Sequence, residues 1–180
     1  AKANGGSPTG VFVVGDGPEI LESRRMDRSQ WLDSLPVTVN GRLGRIAEVD
    51  RYRFVAPHDG PVSVDFMARR LGAKFHGALV VRDVNGRKLA DVADTEGLDT
   101  YLTLPVEAGQ TYEVALNDVD FRGHRAYVYR LTLTAAPTVV AALPAAGQRG
   151  KTQTVEFVGY GVATGSGELE SVTREVSFPE

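Results

Sequence analysis

From residue 37 to residue 133 apolar and polar side chains take turns along the chain, a period that suits half-buried strands and no helix. Val37 and Val39 share one side of their segment, and Tyr52 and Phe54 oppose Arg51 and Arg53. Val62, Val64 and Phe66 oppose Ser63, Asp65 and Met67. Leu102, Leu104 and Val106 repeat the pattern, as do Tyr112, Val114 and Leu116, and then Tyr127, Tyr129, Leu131 and Leu133. Turn residues punctuate these runs. His58-Asp59-Gly60-Pro61 and Glu107-Ala108-Gly109-Gln110 close two hairpins, and Asn85-Gly86 predicts a type I′ turn. About eight strands at intervals of roughly 8 to 12 residues predict an all-β, antiparallel sandwich or barrel.

The flanks read differently. The first ten residues, AKANGGSPTG, carry too little apolar surface to fold and predict a flexible leader. Residues 11–14 predict an edge strand, closed by Gly15-Asp16-Gly17-Pro18. Asp27 is placed to cap a single helical turn carrying Trp31, Leu32 and Leu35. After residue 135 the composition turns small and turn-rich, and TVEFVGYGV and ELESVTREVSF read as further strands. They either extend the first sheet or open a second unit, since about three strands cannot close a sandwich of their own. The expected organisation is a leader and linker strand over 1–35, a sandwich over 36–136 and a short additional β segment over 137–180.

Several chemistries are excluded or left without a motif. The chain has no cysteine, so disulfides, thiolate metal sites and thiol nucleophiles are absent. With 20 Lys+Arg against 23 Asp+Glu the net charge is −3, which gives no drive toward nucleic acid. The longest apolar run, residues 139–143, is too short to span a bilayer, so no membrane insertion is expected. His58, His76 and His124 lie in three separate segments without metal-ligand spacing. No G-x-S-x-G elbow occurs, and Gly15-Asp16-Gly17 lacks the rest of a dinucleotide loop. Asp91, Asp94, Glu96 and Asp99 in one loop, and Asn117, Asp118 and Asp120 in another, lack EF-hand spacing and read as turns. Trp31, Tyr101, Phe121, Tyr127 and Tyr129 are aromatic candidates for stacking on a ligand, with Tyr127 and Tyr129 in register with core leucines.

Certain blocks carry a family likeness. LPVTVNGRLGRIAEVDRYRF, VSVDFMARRLGA, ALVVRDVNGRKLAD, GLDTYLTLPVEAGQTYEVALND and YVYRLTLTA, in that order, resemble the bacterial pre-peptidase C-terminal domain. The most specific pieces are GRLGRIAEVDRYRF, similar to a G-x-I-x-x-x-x-D-x-D-x-F block, and AGQTYEVAL, similar to A-G-x-Y-x-L-x-V. The resemblance implies a jelly-roll-like β-sandwich attached to a secreted or surface bacterial protein as a non-catalytic accessory module. PAAGQRGKTQTVEFVGYGV resembles the opening of an immunoglobulin-like repeat.

In the family's collagen-binding branch calcium lies between an E-P-N-D linker and the acidic turn before the D-x-D-x-F strand. Glu22 stands at the linker Glu, but Ser23, Arg24 and Arg25 replace the remainder, while Glu48 and Asp50 keep the second element. The resemblance therefore implies a degenerate calcium site at Glu22, Glu48 and Asp50. The alternative reading is a solvated or ion-paired seam where the linker packs. The partners expected are protein or polysaccharide, with a monomer inside a larger chain. A carbohydrate-binding module is the alternative function, marked by a row of exposed aromatics on one sheet face. A small hydrolase would instead set two carboxyls across a cleft.

Overall fold

The computed structural model describes residues 10–23, 29–95, 97 and 99–180. The leader residues 1–9, Arg24, Arg25, Asp27 and Glu96 therefore lie outside the described residues, and with them the expected flexible leader and helix cap.

Among the described residues thirteen strands follow in order: β1 (Glu19–Leu21), β2 (Gln30–Trp31), β3 (Val37–Arg42), β4 (Asp50–Val55), β5 (Gly60–Met67), β6 (Gly77–Asp83), β7 (Lys88–Ala93), β8 (Thr100–Val106), β9 (Thr111–Asp118), β10 (Val128–Thr134), β11 (Thr138–Leu143), β12 (Thr152–Tyr160) and β13 (Leu169–Ser177). The eight strands expected between residues 37 and 133 are β3 to β10. They form two sheets ordered β1-β3-β10-β5-β8 and β2-β4-β9-β6-β7. Each early strand pairs antiparallel with one late strand, β3 with β10, β4 with β9, β5 with β8 and β6 with β7. A four-strand hairpin wrapped on itself gives this order, which is a jelly roll.

The alternation decides which side chains fill the space between the sheets. Val39, Val62, Val64, Phe66, Leu131 and Leu133 point inward from the first sheet; Phe54, Leu79, Val81, Val114 and Leu116 meet them from the second. Phe75, ahead of β6, packs edge-on to Phe66 at 5.8 Å and stacks on Tyr127 at 4.9 Å. Each sheet then gains one short parallel strand at its edge, β1 beside β3 and β2 beside β4.

Several local expectations are corrected here. The turns at residues 58–61 and 107–110 close no hairpins, because β4 and β5, like β8 and β9, lie in different sheets. Residues 11–14 form no strand and are largely exposed, because β1 already occupies the edge of β3, reinforced by Thr38 N–H donating to the Pro18 carbonyl at 2.9 Å. Trp31 lies in β2 instead of a helical turn, and Leu32 N–H continues that edge by donating to the Arg53 carbonyl at 2.8 Å. The sheet offers these residues more hydrogen bonds than an isolated turn could. At Asn85-Gly86 only the glycine has positive φ, +80°, whereas a type I′ turn needs it at both central residues. Gly86 N–H donates to Asp83 and Asp83 N–H to Arg87, the pattern of a type I turn closed by a glycine bulge.

The C-terminal strands form a separate three-stranded sheet ordered β11-β12-β13, extending neither sandwich sheet. It abuts the corner where β5 and β8 begin and end. Ser63 Oγ lies 2.9 Å from both Thr103 Oγ1 and Thr138 Oγ1, linking β5, β8 and β11. The loop after β12 presses backbone against backbone here: a Cβ on Gly167 would stand 2.4 Å from Pro105 Cβ, and one on Gly60 2.6 Å from the Gly165 carbonyl oxygen.

Candidate functional site

Glu22 follows β1, Asp50 opens β4, and the two come together over Tyr129 of β10. Glu22 is held by its backbone N–H donating to the Asn40 carbonyl at 3.0 Å, while its Oε2 accepts Arg42 N–H at 2.7 Å. Tyr129 Oη donates to Asp50 Oδ2 at 2.6 Å and lies 3.4 Å from Glu22 Oε2. Behind it Tyr52, from the opposite sheet, brings its own hydroxyl to 2.5 Å of Tyr129 Oη. A polar thread thus runs from the rim into the sandwich, and both phenols are buried. Gly41 makes the passage possible, since a Cβ there would fall 2.4 Å from Tyr129 Oη and 2.6 Å from Glu22 Oε2.

Burial governs the electrostatics. It pushes the Asp50 carboxyl up to about 7; the Tyr129 hydrogen bond opposes this, and the charges of Glu22 and Glu48 add to it. Burial also raises Glu22, against the pull of the Arg42 N–H and with the charge of Glu48. Both phenols are raised, again chiefly by burial. Glu22 and Asp50 bond the same Tyr129 hydroxyl, so one proton on the pair relieves their repulsion.

The sequence pattern named Glu22, Glu48 and Asp50, and the fold sets all three around one hollow, the first and last meeting at Tyr129. Glu48 instead turns its Oε2 to the Arg45 N–H at 2.6 Å, capping its own turn. Calcium takes six to eight oxygens. Here the carboxylates are already engaged with N–H and phenol donors. Among the described residues no group of three or more His, Asp or Glu stands where it could hold a metal ion. The donor set does not fit calcium. Melts in about 10 mM Ca²⁺ and in chelator should therefore coincide, whereas a site at a hundred times its Kd would add about 2.7 kcal/mol, or several degrees. A rise of several degrees would show that the acids regroup around the ion.

The other singled-out residues serve the scaffold. Buried Asp99 accepts the N–H groups of Ala68, Arg69 and Arg70 and pairs with Arg70 at 2.8 Å. Buried Asp118 pairs with Arg122 at 3.0 Å and accepts His76 N–H. The histidines stay apart: His58 lies 3.2 Å from the Ala135 carbonyl, His76 beside Arg69 and Asp94, and His124 beside Ala126 N–H. Among large exposed apolar side chains, Phe12 lies in the N-terminal segment, Trp31 on an edge strand and Phe121 in a loop, so they form no row on one sheet face. Glu22 and Asp50 meet at one phenol, Tyr129 Oη lying 3.4 Å from Glu22 Oε2 and 2.6 Å from Asp50 Oδ2. Sequence reasoning had placed Tyr129 in the core by its alternation but carried no signal for its hydroxyl partners or for Gly41.

Comparison of structures finds a likeness to the pre-peptidase C-terminal domain of collagenase from Bacillus anthracis, at 14% sequence identity and a TM-score of 0.45. The match covers 67% of this chain and 100% of that domain. No protein-family model and no curated protein matches the chain. Among the described residues no helix is long and apolar enough to cross a membrane.

Proposed function

We propose that this chain is a non-catalytic accessory β-sandwich module of a secreted or surface bacterial protein, which spaces and orients the segments on either side of it. The reading rests on one observation: the jelly roll is tied down on both flanks. On the N-terminal side β1 is held by its ladder to β3, by Glu22 at Arg42 and Tyr129, and by Glu19 paired with Arg130 at 2.9 Å. On the C-terminal side the third sheet meets the β5 and β8 corner through the Ser63, Thr103 and Thr138 hydroxyls and through glycines that admit no side chain. A spacer needs this, because a free linker transmits no direction. The same surface leaves loops free to touch a protein partner.

The test is the rigidity of the C-terminal sheet. Small-angle scattering of the chain should fit a single rigid arrangement. Gly167→Leu, which drives a side chain into Pro105, should broaden the distribution of dimensions while the sandwich keeps its unfolding midpoint within about 2 °C. A wild-type chain that already scatters as two freely jointed bodies would end the spacer reading.

A further inference from the structure

Sheet edges are guarded in most of this molecule. β1 and β2 are two or three residues long, β8 contains Pro105, and β11 is interrupted between Val139 and Ala141. The β6 and β7 pairing is shifted between Val81 and Arg82. Short strands, prolines and bulges are the usual protections against edge-to-edge pairing. β13 has none of them. It runs nine residues without proline or glycine and pairs with β12 at every position without a shift.

Its free backbone groups can be assigned. Just past the strand, Phe178 N–H donates to the Lys151 carbonyl at 2.9 Å, and its own carbonyl accepts Gly150 N–H at 3.1 Å. Antiparallel ladders alternate, so the even residues of β13 turn their backbone toward β12 and Ser171, Thr173 and Glu175 turn theirs outward. The Thr173 carbonyl agrees with this, being met at 2.9 Å by the guanidinium of its neighbour Arg174. The even side chains share the face on which Val172 lies beside Phe157.

We propose that β13 is a self-association edge to which a second copy of this chain adds its own β13, antiparallel, about a two-fold axis at Val172. The occupant follows from charge complementarity written into the strand. In that register Glu170, whose carboxylate accepts Ala163 N–H, Thr164 N–H and the Thr164 hydroxyl within its own chain and keeps its charge, stands opposite the partner's Arg174 and Arg174 opposite the partner's Glu170, flanking a Val172 pair. These are non-hydrogen-bonded positions, where side chains approach most closely. The outward backbone of Ser171 meets that of the partner's Thr173, and Leu169 meets the partner's Glu175. Phe157 and Val172 become half of a continuous apolar stripe across two sheets. Arg174 leaves the Thr173 carbonyl to do this, and the incoming N–H replaces it. Slipping the pairing by one residue would set Glu170 against the partner's Glu175 and reverse the faces. A two-fold axis closes the assembly at two copies. This departs from the monomer expected from the sequence, and it stands whether or not the module acts as a spacer.

A single strand pair buries little area, so association belongs in the range of about 10 μM to 1 mM. Sedimentation velocity across that range should show the average mass climbing from 19.3 kDa toward twice that value. Thr173→Pro removes an outward N–H and leaves the β12 ladder intact, so it should hold the chain monomeric with an unchanged melt. Arg174→Glu places like charges opposite each other and should weaken association at least tenfold. A mass of 19.3 kDa at every concentration overturns the proposal, as does association that survives both substitutions.

Discussion

Raising the pH from about 5 to about 8 should destabilise this protein, and Asp50→Asn should remove most of that loss. Asp50 titrates at about 7 in the folded chain against an ordinary 3.8, chiefly because burial disfavours its charge. A group raised on folding contributes stability that is complete below its unfolded value and disappears as pH climbs through the folded one. From pH 5 to the folded value this corresponds to at most roughly 3 kcal/mol, and the partial exposure of the carboxyl reduces it to about 1.5 kcal/mol, or a midpoint change of about 3–6 °C. Glu22 moves the same way and adds to the slope. The carboxylates held low, Asp99, Glu113 and Asp118 among them, are ionised in both folded and unfolded chains above about pH 5, so they leave this window clear. Asparagine still accepts the Tyr129 hydroxyl but carries no charge. Comparing the two proteins also cancels whatever the histidines contribute. Denaturant melts at four or five pH values suffice. A wild-type profile flat across the window, or one whose slope survives in the variant, would refute the shared-proton account of Glu22 and Asp50.

How much of this could be read beforehand divides along a physical line. Alternation is local, so β3 to β10 and their inward faces were legible from residues such as Val62, Val64 and Phe66. Partnership across the sandwich is not local. The period of two puts Tyr52 and Tyr129 in the interior but says nothing of their hydroxyls meeting, which depends on the order of strands in two different sheets. Gly41 carries no signal in the sequence, because its role is to leave space for Glu22, nineteen positions earlier. β2 was missed because two residues at an edge carry no period at all. The acidic loops were read as turns that bond their own backbone, and Asp83 does so at Asn85 and Arg87. Asp99 reaches another segment instead, while Asp118 does both, accepting Arg122 N–H in its own loop and His76 N–H from elsewhere, and the sequence does not distinguish the two habits.

That distinction sets up the largest mutational effect expected. Asp99→Ala should cost about 3–5 kcal/mol and lower the midpoint by about 10 °C. Its Oδ1 accepts Ala68 N–H at 3.0 Å and Arg69 N–H at 2.7 Å, and its Oδ2 accepts Arg70 N–H at 3.2 Å and Arg70 Nε at 2.8 Å. Alanine leaves these donors facing apolar surroundings, next to the buried Ala68 and Phe66, and frees Arg70 from one of its two carboxylates. Burial of Asp99 opposes its charge, but the Arg70 guanidinium and the three N–H donors outweigh it and hold the carboxyl below its ordinary value. The sign is therefore opposite to that of Asp50. Its stability is present above about pH 4 and is lost as pH falls through the depressed folded value, so the variant should lose part of the wild-type acid limb. Asp91→Ala makes the control, since Asp91, expected in a loop, lies exposed in β7 and among the described residues pairs only with Lys88, so it should cost about 0.5 kcal/mol or less. Urea melts of the three proteins at neutral pH would decide the matter: equal losses in the two variants would mean that the turn at residues 69–71 stands without its buried anchor.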